Sequence, residues 1–336
     1  MKKFLFVLFF LTVTSMNSIF AQEFLEDTPG KWDYSYSSEK KGGYRSELNY
    51  SMNASETKMF KQKINDIVEF LHQSQVLANP KGFTASVKSC AYTNIYKINY
   101  DFNKLKNAFV QSEIVVRFCP LFRNKSGKII TESDEMSHCD FMLNNPLTTT
   151  YTYMNYEGDG YNKEINNAAN KLNELFIKPG IIKDFGDGIT AYTDGVVVIS
   201  GTKKPYWIPV TVGEFFDLQI KLWELLSKKE GNSAVLDVIK QEKSKYTPEE
   251  LKLPAYSTSG RISRITDQKN DMPYMRFNPG YFDKTLPRTD IQLITIKTIT
   301  DVYQGGCTGK SVDVERHCEF IRKLDLKKLK EFLDKK

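Results

Sequence analysis

Histidine is the scarcest of the chemistry-bearing residues in this chain: His72, His138 and His317 are all there are. Any histidine-dependent triad must use one of those three positions. The motifs that announce hydrolytic chemistry are absent as well. There is no Gly-x-Ser-x-Gly elbow and no His-Glu-x-x-His helix. Ser55-Glu56-Thr57-Lys58 has the serine-x-x-lysine spacing of penicillin-interacting enzymes, but no Ser-Asp-Asn or Lys-Thr-Gly companion occurs. Ser55 is read instead as the cap of a helix. Charge of one sign is not dominant either. The formal +6 falls to +4 once Lys2 and Lys3 are removed, and it is spread along the chain, which gives no case for nucleic acid as a partner.

Long apolar runs are missing except at the start. Lys2 and Lys3 precede an almost unbroken apolar stretch, Phe4 to Val13, followed by a polar segment and Ile19-Phe20-Ala21-Gln22. The stretch is shorter than the roughly 20 residues of a membrane helix and has the form of a signal-peptide core. Residues 1–21 are therefore expected to be a signal peptide cut after Ala21, with no transmembrane segment after its removal. The mature chain of about 315 residues is long enough to bury a large core. The expected location is periplasmic, outer-membrane-associated or extracellular.

Hydrophobic periodicity outlines the rest. Residues 22–50 read as a loosely ordered lead-in with room for one short strand. Phe60, Ile64, Ile67, Val68 and Leu71 recur at helical spacing. Strand-like segments follow at 83–89, 94–102, 113–118, 128–131 and 140–143, with a turn at Asn124-Lys125-Ser126-Gly127. A helix is expected over 163–177, then a hairpin of 189–192 and 196–200 around Thr193-Asp194-Gly195. Thr211-Val212-Gly213-Glu214 has capping-box spacing and opens a Phe- and Leu-rich helix to about Lys229, with a further helix at 233–243. Thr247-Pro248-Glu249-Glu250 repeats that logic, strands return at 274–277 and 291–299, and lysine-rich helical turns begin at Asp325. This mixture without regular βα alternation predicts an α+β fold with mixed, mostly antiparallel sheets and packed helices.

Pro80, Phe102-Asn103, Glu113-Ile114 and His138-Cys139-Asp140-Phe141 recur in order as Pro254, Phe277-Asn278, Asp290-Ile291 and His317-Cys318-Glu319-Phe320, at offsets of 174, 175, 177 and 179. Read as a duplication, this gives two α+β units. Unit A is 55–145 and unit B is 230–336, which includes the helical C-terminus. A helix–hairpin–helix insertion, 146–229, separates them.

Cysteines of an exported chain are judged first as disulfides. There are five. The duplication suggests Cys119 with Cys139 and Cys307 with Cys318, leaving Cys90 as a small buried residue; Cys90 with Cys119 is the open alternative. His138-Cys139 and His317-Cys318 also form a zinc-compatible ligand set, but disulfide formation removes both thiolates. No metal and no cofactor is therefore expected, and His138 and His317 are read as polar residues at strand ends.

Three further patterns fall short. Gly305-Gly306-Cys307-Thr308-Gly309-Lys310-Ser311 resembles a phosphate loop, but Gln304 stands where the first glycine belongs. Asn155-Tyr156-Glu157-Gly158-Asp159-Gly160 alternates oxygen ligands like a calcium loop, yet its twelfth position is Asn166. Asp184, Asp187 and Asp194 sit beside glycines as turn residues. The aromatics Tyr206-Trp207, Phe215-Phe216 and Trp223 are read as core, against a ligand pocket as the alternative.

Phe20-Ala21-Gln22, Lys204-Pro205-Tyr206-Trp207-Ile208-Pro209-Val210-Thr211, Asn278-Pro279-Gly280-Tyr281-Phe282-Asp283 and Gln292-Leu293-Ile294 resemble stretches in uncharacterised secreted proteins of Bacteroidota-type bacteria. That resemblance implies export and no particular activity. Two functions are carried forward. One is non-catalytic binding of a protein or glycan partner in the cell envelope. The other is a secreted hydrolase whose carboxylates converge in a cleft.

Overall fold

The computed structural model describes residues 23–37, 52–92, 109–132, 136–145, 162–257, 265–266, 272–300 and 302–334. The expected signal peptide, the 94–102 strand, Asn103 and the calcium-like loop at 155–160 lie outside them. In order, the elements are β1 (Glu23–Phe24), β2 (Trp32–Ser37), α1 (Ala54–His72), α2 (Gln75–Ala78), β3 (Phe83–Tyr92), β4 (Gln111–Arg123), β5 (Ile129–Thr131) and β6 (His138–Leu143). Next come α3 (Lys163–Asn173), β7 (Phe176–Ile177), β8 (Ile181–Gly186), β9 (Ile189–Tyr192), β10 (Val196–Ser200), β11 (Trp207–Pro209), α4 (Val212–Glu230) and α5 (Ala234–Lys243). A 3-10 turn (Glu250–Lys252), β12 (Tyr256–Ser257), β13 (Ile265–Thr266), β14 (Met272–Phe277), β15 (Leu293–Lys297), α6 (Val312–Lys323) and α7 (Leu326–Lys330) complete the chain.

The described strands form two sheets. The larger runs β2-β3-β4-β6-β15-β10-β9-β8, with β1 and β5 also on β4; the smaller runs β11-β14-β12-β13, with β7 on β14. Of these ladders only β2–β3 is parallel. The fold is α+β, with mostly antiparallel mixed sheets and packed helices.

Strand alternation assigns the large sheet two faces. One carries Val87, Val116, Phe118, Phe141, Ile294 and Ile296 and packs against α1 (Phe60, Ile64, Ile67, Leu71) and α6 (Phe320, Ile321). On the other face, Val196, Val198 and Leu293 pack against Tyr206, Trp207, Met275 and Phe277, an aromatic layer that joins the two sheets. Three of the stretches that carried the resemblance, 204–211, 278–283 and 292–294, meet in this layer, while Phe20-Ala21-Gln22 lies outside the described residues. Asn278 donates from its backbone N to Tyr206 O at 3.0 Å and from Nδ2 to Pro205 O at 2.9 Å, and Gln292 Oε1 accepts from Asp283 N at 2.8 Å. A second apolar core joins α3 and α4 through Ile165, Leu172, Phe215 and Leu222. The aromatic set thus divides between two cores: Tyr206 and Trp207 lie between the sheets, Phe215 and Phe216 under the helices.

Several local expectations change. The cap of α1 is Asn53, not Ser55: Asn53 Oδ1 accepts from Glu56 N and Glu56 Oε2 accepts from Asn53 N, both at 2.9 Å. That reciprocal pair is a capping box shifted two residues back. The helix expected through 177 stops at Asn173, because Phe176 and Ile177 pair with Met275 and Tyr274 of β14. Thr211 does cap α4, its Oγ1 accepting from Glu214 N at 3.1 Å.

The duplication does not survive at its most specific match. His138–Phe141 lies in strand β6, whereas His317–Phe320 lies in helix α6. The three expected spans also share one sheet, since 146–229 supplies β8, β9 and β10, 55–145 supplies β3, β4 and β6, and β15 comes from 230–336.

Candidate functional site

His317 was expected at a strand end and is instead sealed inside the core. It has no exposed surface, and its ring stacks on Phe118 with centroids 5.1 Å apart. Ser137 Oγ lies 2.7 Å from Nδ1 and Thr298 Oγ1 lies 2.8 Å from Nε2. A neutral imidazole offers one donor and one acceptor, so one hydroxyl donates to the ring and the other accepts from it. Burial, helped by the nearby His138, pushes the His317 pKa down to about 3. Asp313, also buried, accepts from Ser137 N at 2.7 Å and does not reach the imidazole. The trio therefore resembles a triad in composition only. Among the described residues no carboxylate orients the ring, and a base this weak takes no proton at neutral pH. With both nitrogens engaged, His317 has no lone pair for zinc. Among the described residues no group of three or more His, Cys, Asp or Glu is placed to hold a metal ion.

The cysteines divide differently from the expected pattern. Cys307 and Cys318 form a disulfide, with Cα atoms 6.2 Å apart, that fastens the glycine-rich turn to α6. Cys119 and Cys139 do not pair; both are buried thiols. Cys139 stands opposite Val116 in the ladder. Cys119 is three residues farther along β4, so it points to the other face and lies roughly 10 Å along the strand. A disulfide tolerates Cα separations only to about 7 Å. The Cys90–Cys119 alternative fails on the same ground, since Cys90 stands opposite Glu113 and Cys119 opposite Thr84. Burial raises the pKa of Cys119 and takes that of Cys139 well above the ordinary thiol value, which leaves both poor nucleophiles.

The phosphate-like turn leads straight into α6, as a true phosphate loop would. Its Gly309 N–H, however, donates to Glu315 Oε1 at 3.0 Å, so the chain's own carboxylate holds the place of an anion. Asp184 and Asp194 fold onto the backbone N–H of Gly186 (2.9 Å) and Val196 (3.3 Å), as turn residues do, and Asp187 adopts a positive φ of 52°. His72 stacks on Trp32 at 4.3 Å. Ser55 and Lys58 lie exposed on the first turns of α1.

His138 leads to a different place. It begins β6 on the large sheet's outer face, beyond the part covered by the aromatic layer. Register places Arg117 opposite His138, Val115 opposite Asp140, and Asp140 opposite Lys297. Lys88 stands opposite Val115, and Glu113 is two residues along β4. The Asp140 side chain is only 15% exposed, His138 is 53% exposed, and His138 Nε2 lies 3.9 Å from Asp140 Oδ1. Burial raises the Asp140 pKa above its ordinary value, while His138, Lys297 and Arg117 each oppose that shift. The result is a recessed carboxylate framed by three cationic or protonatable side chains on a partly accessible sheet face.

No family model, no curated protein and no solved structure matches this chain. Asp290 and Asp334 converge, but on Lys63, whose Nζ lies 3.1 and 2.7 Å from them, and Asp334 Oδ2 also accepts from Ile291 N at 2.7 Å. Those bonds make the pair a brace between α1 and the C-terminus. A cavity of about 270 Å³ is lined by Asp187, Ile189, Lys327, Lys330 and Glu331, and Lys330 Nζ donates to Asp187 O across it.

The Asp140 surroundings were missed by motif reading. Glu113, Val115 and Arg117 show a period-2 face within β4, but nothing local ties them to Asp140 or Lys297.

Proposed function

We propose that this chain is an exported protein that binds an acidic glycan of the cell envelope through the Arg117–His138–Asp140–Lys297 face, without covalent chemistry. The observation that carries the reading is the register, which brings two fixed cations and a histidine around one recessed carboxylate on an accessible face. Arg117 and Lys297 suit carboxylate or sulfate groups, and Asp140 accepts from sugar hydroxyls. A sheet face with His138 half-exposed suits an extended chain better than a small enclosed substrate. Export rests on the N-terminal pattern of Lys2, Lys3, the apolar run and Ala21.

Titration calorimetry with acidic and neutral oligosaccharides tests the site. Binding of the acidic series, weakened at least about tenfold in Arg117→Ala/Lys297→Ala, is the expected result. Because Asp140 has a raised pKa, lowering the pH neutralises it and should tighten anion binding, an effect lost in Asp140→Asn. Indifference of both series to the double variant would remove this face as the site, and turnover of any sugar would favour the hydrolase. Mass analysis of the exported protein should find Gln22 as its first residue; an intact Met1 would refute cleavage.

A further inference from the structure

Glu174 lies between α3 and β7, where the chain turns into its ladder with β14. Phe176 pairs with Met275, so one step on in that register Leu175 comes opposite Arg276, with Glu174 the next residue along the chain and within reach of the Arg276 charge. Both side chains leave a buried polar atom without a hydrogen-bond partner, Oε1 of Glu174 and Nε of Arg276. Arg276 is otherwise held by Glu214 of α4, with Nη1 3.3 Å from Oε1. Burial raises the pKa of Glu174 to about 7, with Lys171 and then Arg276 opposing the rise. Among the described residues, Lys171 from its own helix, Arg276 from β14 and, beyond Arg276, Glu214 from α4 are the charged groups around it.

A buried donor and a buried acceptor on side chains of opposite formal charge, both unsatisfied in one seam, mark an interaction that the ionised carboxylate strengthens and the protonated carboxyl leaves weak. We propose that Glu174 and Arg276 form a proton-controlled latch. While the carboxyl keeps its proton, the seam stays as observed. When the proton passes to water, the carboxylate takes the Nε–H of Arg276. That bond ties the end of α3 to β14 and, through Glu214, to the first turn of α4. The device lies apart from the Asp140 face and does not depend on it.

Nuclear magnetic resonance on the whole chain tests it. The Glu174 side-chain carbon, assigned by comparison with Glu174→Gln, is followed with pH alongside the Arg276 Nε–H. The Glu174 midpoint should lie clearly above the ordinary carboxylate range, and the Nε–H should become protected from exchange with that same midpoint. Arg276→Gln should raise the midpoint by about one pH unit or more, and Arg276→Lys should return part of the way. An ordinary midpoint, or an Nε–H that ignores the titration, overturns the latch. Both can be read from the unaltered protein, so the test survives a variant that fails to fold.

Discussion

His317 shows how far packing can remove a side chain from the chemistry its type suggests. Burial, helped by the nearby His138, disfavours its charged form, and the imidazole pKa falls from 6.5 to about 3. The unfolded chain therefore binds a proton at His317 that the folded chain refuses. The stability tied to this residue is fully present above about pH 6.5 and is lost as the pH falls toward 3. Urea unfolding between pH 7 and pH 4 should show a loss from this source of at most about 1.4 kcal/mol per pH unit below that point. His317→Gln, which keeps a donor and an acceptor but does not titrate, should flatten that slope. An unchanged slope would mean that the acid sensitivity arises elsewhere. The same burial removes Cys139 from thiol chemistry, so its neighbour in sequence, the exposed His138, is the residue left facing solvent.

Among the elements, α6 depends most on a covalent aid. The Cys307–Cys318 disulfide joins residues 11 apart and holds the glycine-rich turn against a helix that buries His317, Phe320 and Ile321. Closing a loop of that size in the unfolded chain corresponds to about 3 kcal/mol in the chain-entropy picture. Cys307→Ser/Cys318→Ser should lose about 2–3 kcal/mol in denaturant unfolding, with α6 amides becoming the first to exchange. Titration of thiols in denaturant without reductant should count three, from Cys90, Cys119 and Cys139. A count of one would restore the Cys119–Cys139 pairing that the strand register opposes, and a count of five would deny the disulfide altogether. The helix α1 carries its own signal in Asn53 and Glu56, whose reciprocal bonds explain where it begins.

Across the whole molecule, α1 is braced to the chain's far end by Lys63, which meets Asp290, Asp334 and the Thr289 carbonyl at 3.1, 2.7 and 3.1 Å. The three charges are half-buried. Deleting the lysine leaves two carboxylates facing each other, which costs more than the pair itself contributed. Lys63→Met should therefore destabilise the protein by about 2 kcal/mol in urea unfolding, and adding Asp290→Asn should recover part of that loss. No recovery in the double variant would show that Lys63 acts through its contact with Thr289 alone. The two sheets are joined by aromatic packing rather than by charge: Trp207 meets Phe176, Tyr192 and Tyr206 at centroid distances of 4.7 to 5.0 Å. Tyr281 adds a hydrogen bond to Ser200 Oγ at 2.6 Å.

By itself the sequence determined what depends on near neighbours. The α+β class, α1 and α4, and the β9–β10 hairpin all follow from spacings within about twenty residues, whereas the Cys307–Cys318 pair was expected from a duplication that the fold does not keep. Tertiary structure decided what depends on pairing across distance. It placed β15 between β6 and β10, so that Lys297 meets Asp140 from 157 residues away. It set Cys119 and Cys139 on opposite faces, turned the second His-Cys pair into a helix, and made a strand of Phe176–Ile177 because Tyr274 and Met275 were there to pair with it. The physical reason is that side-chain periodicity is a property of a short segment. Which face becomes the core, and which charges share the other face, is fixed only by the register of strands distant in the chain.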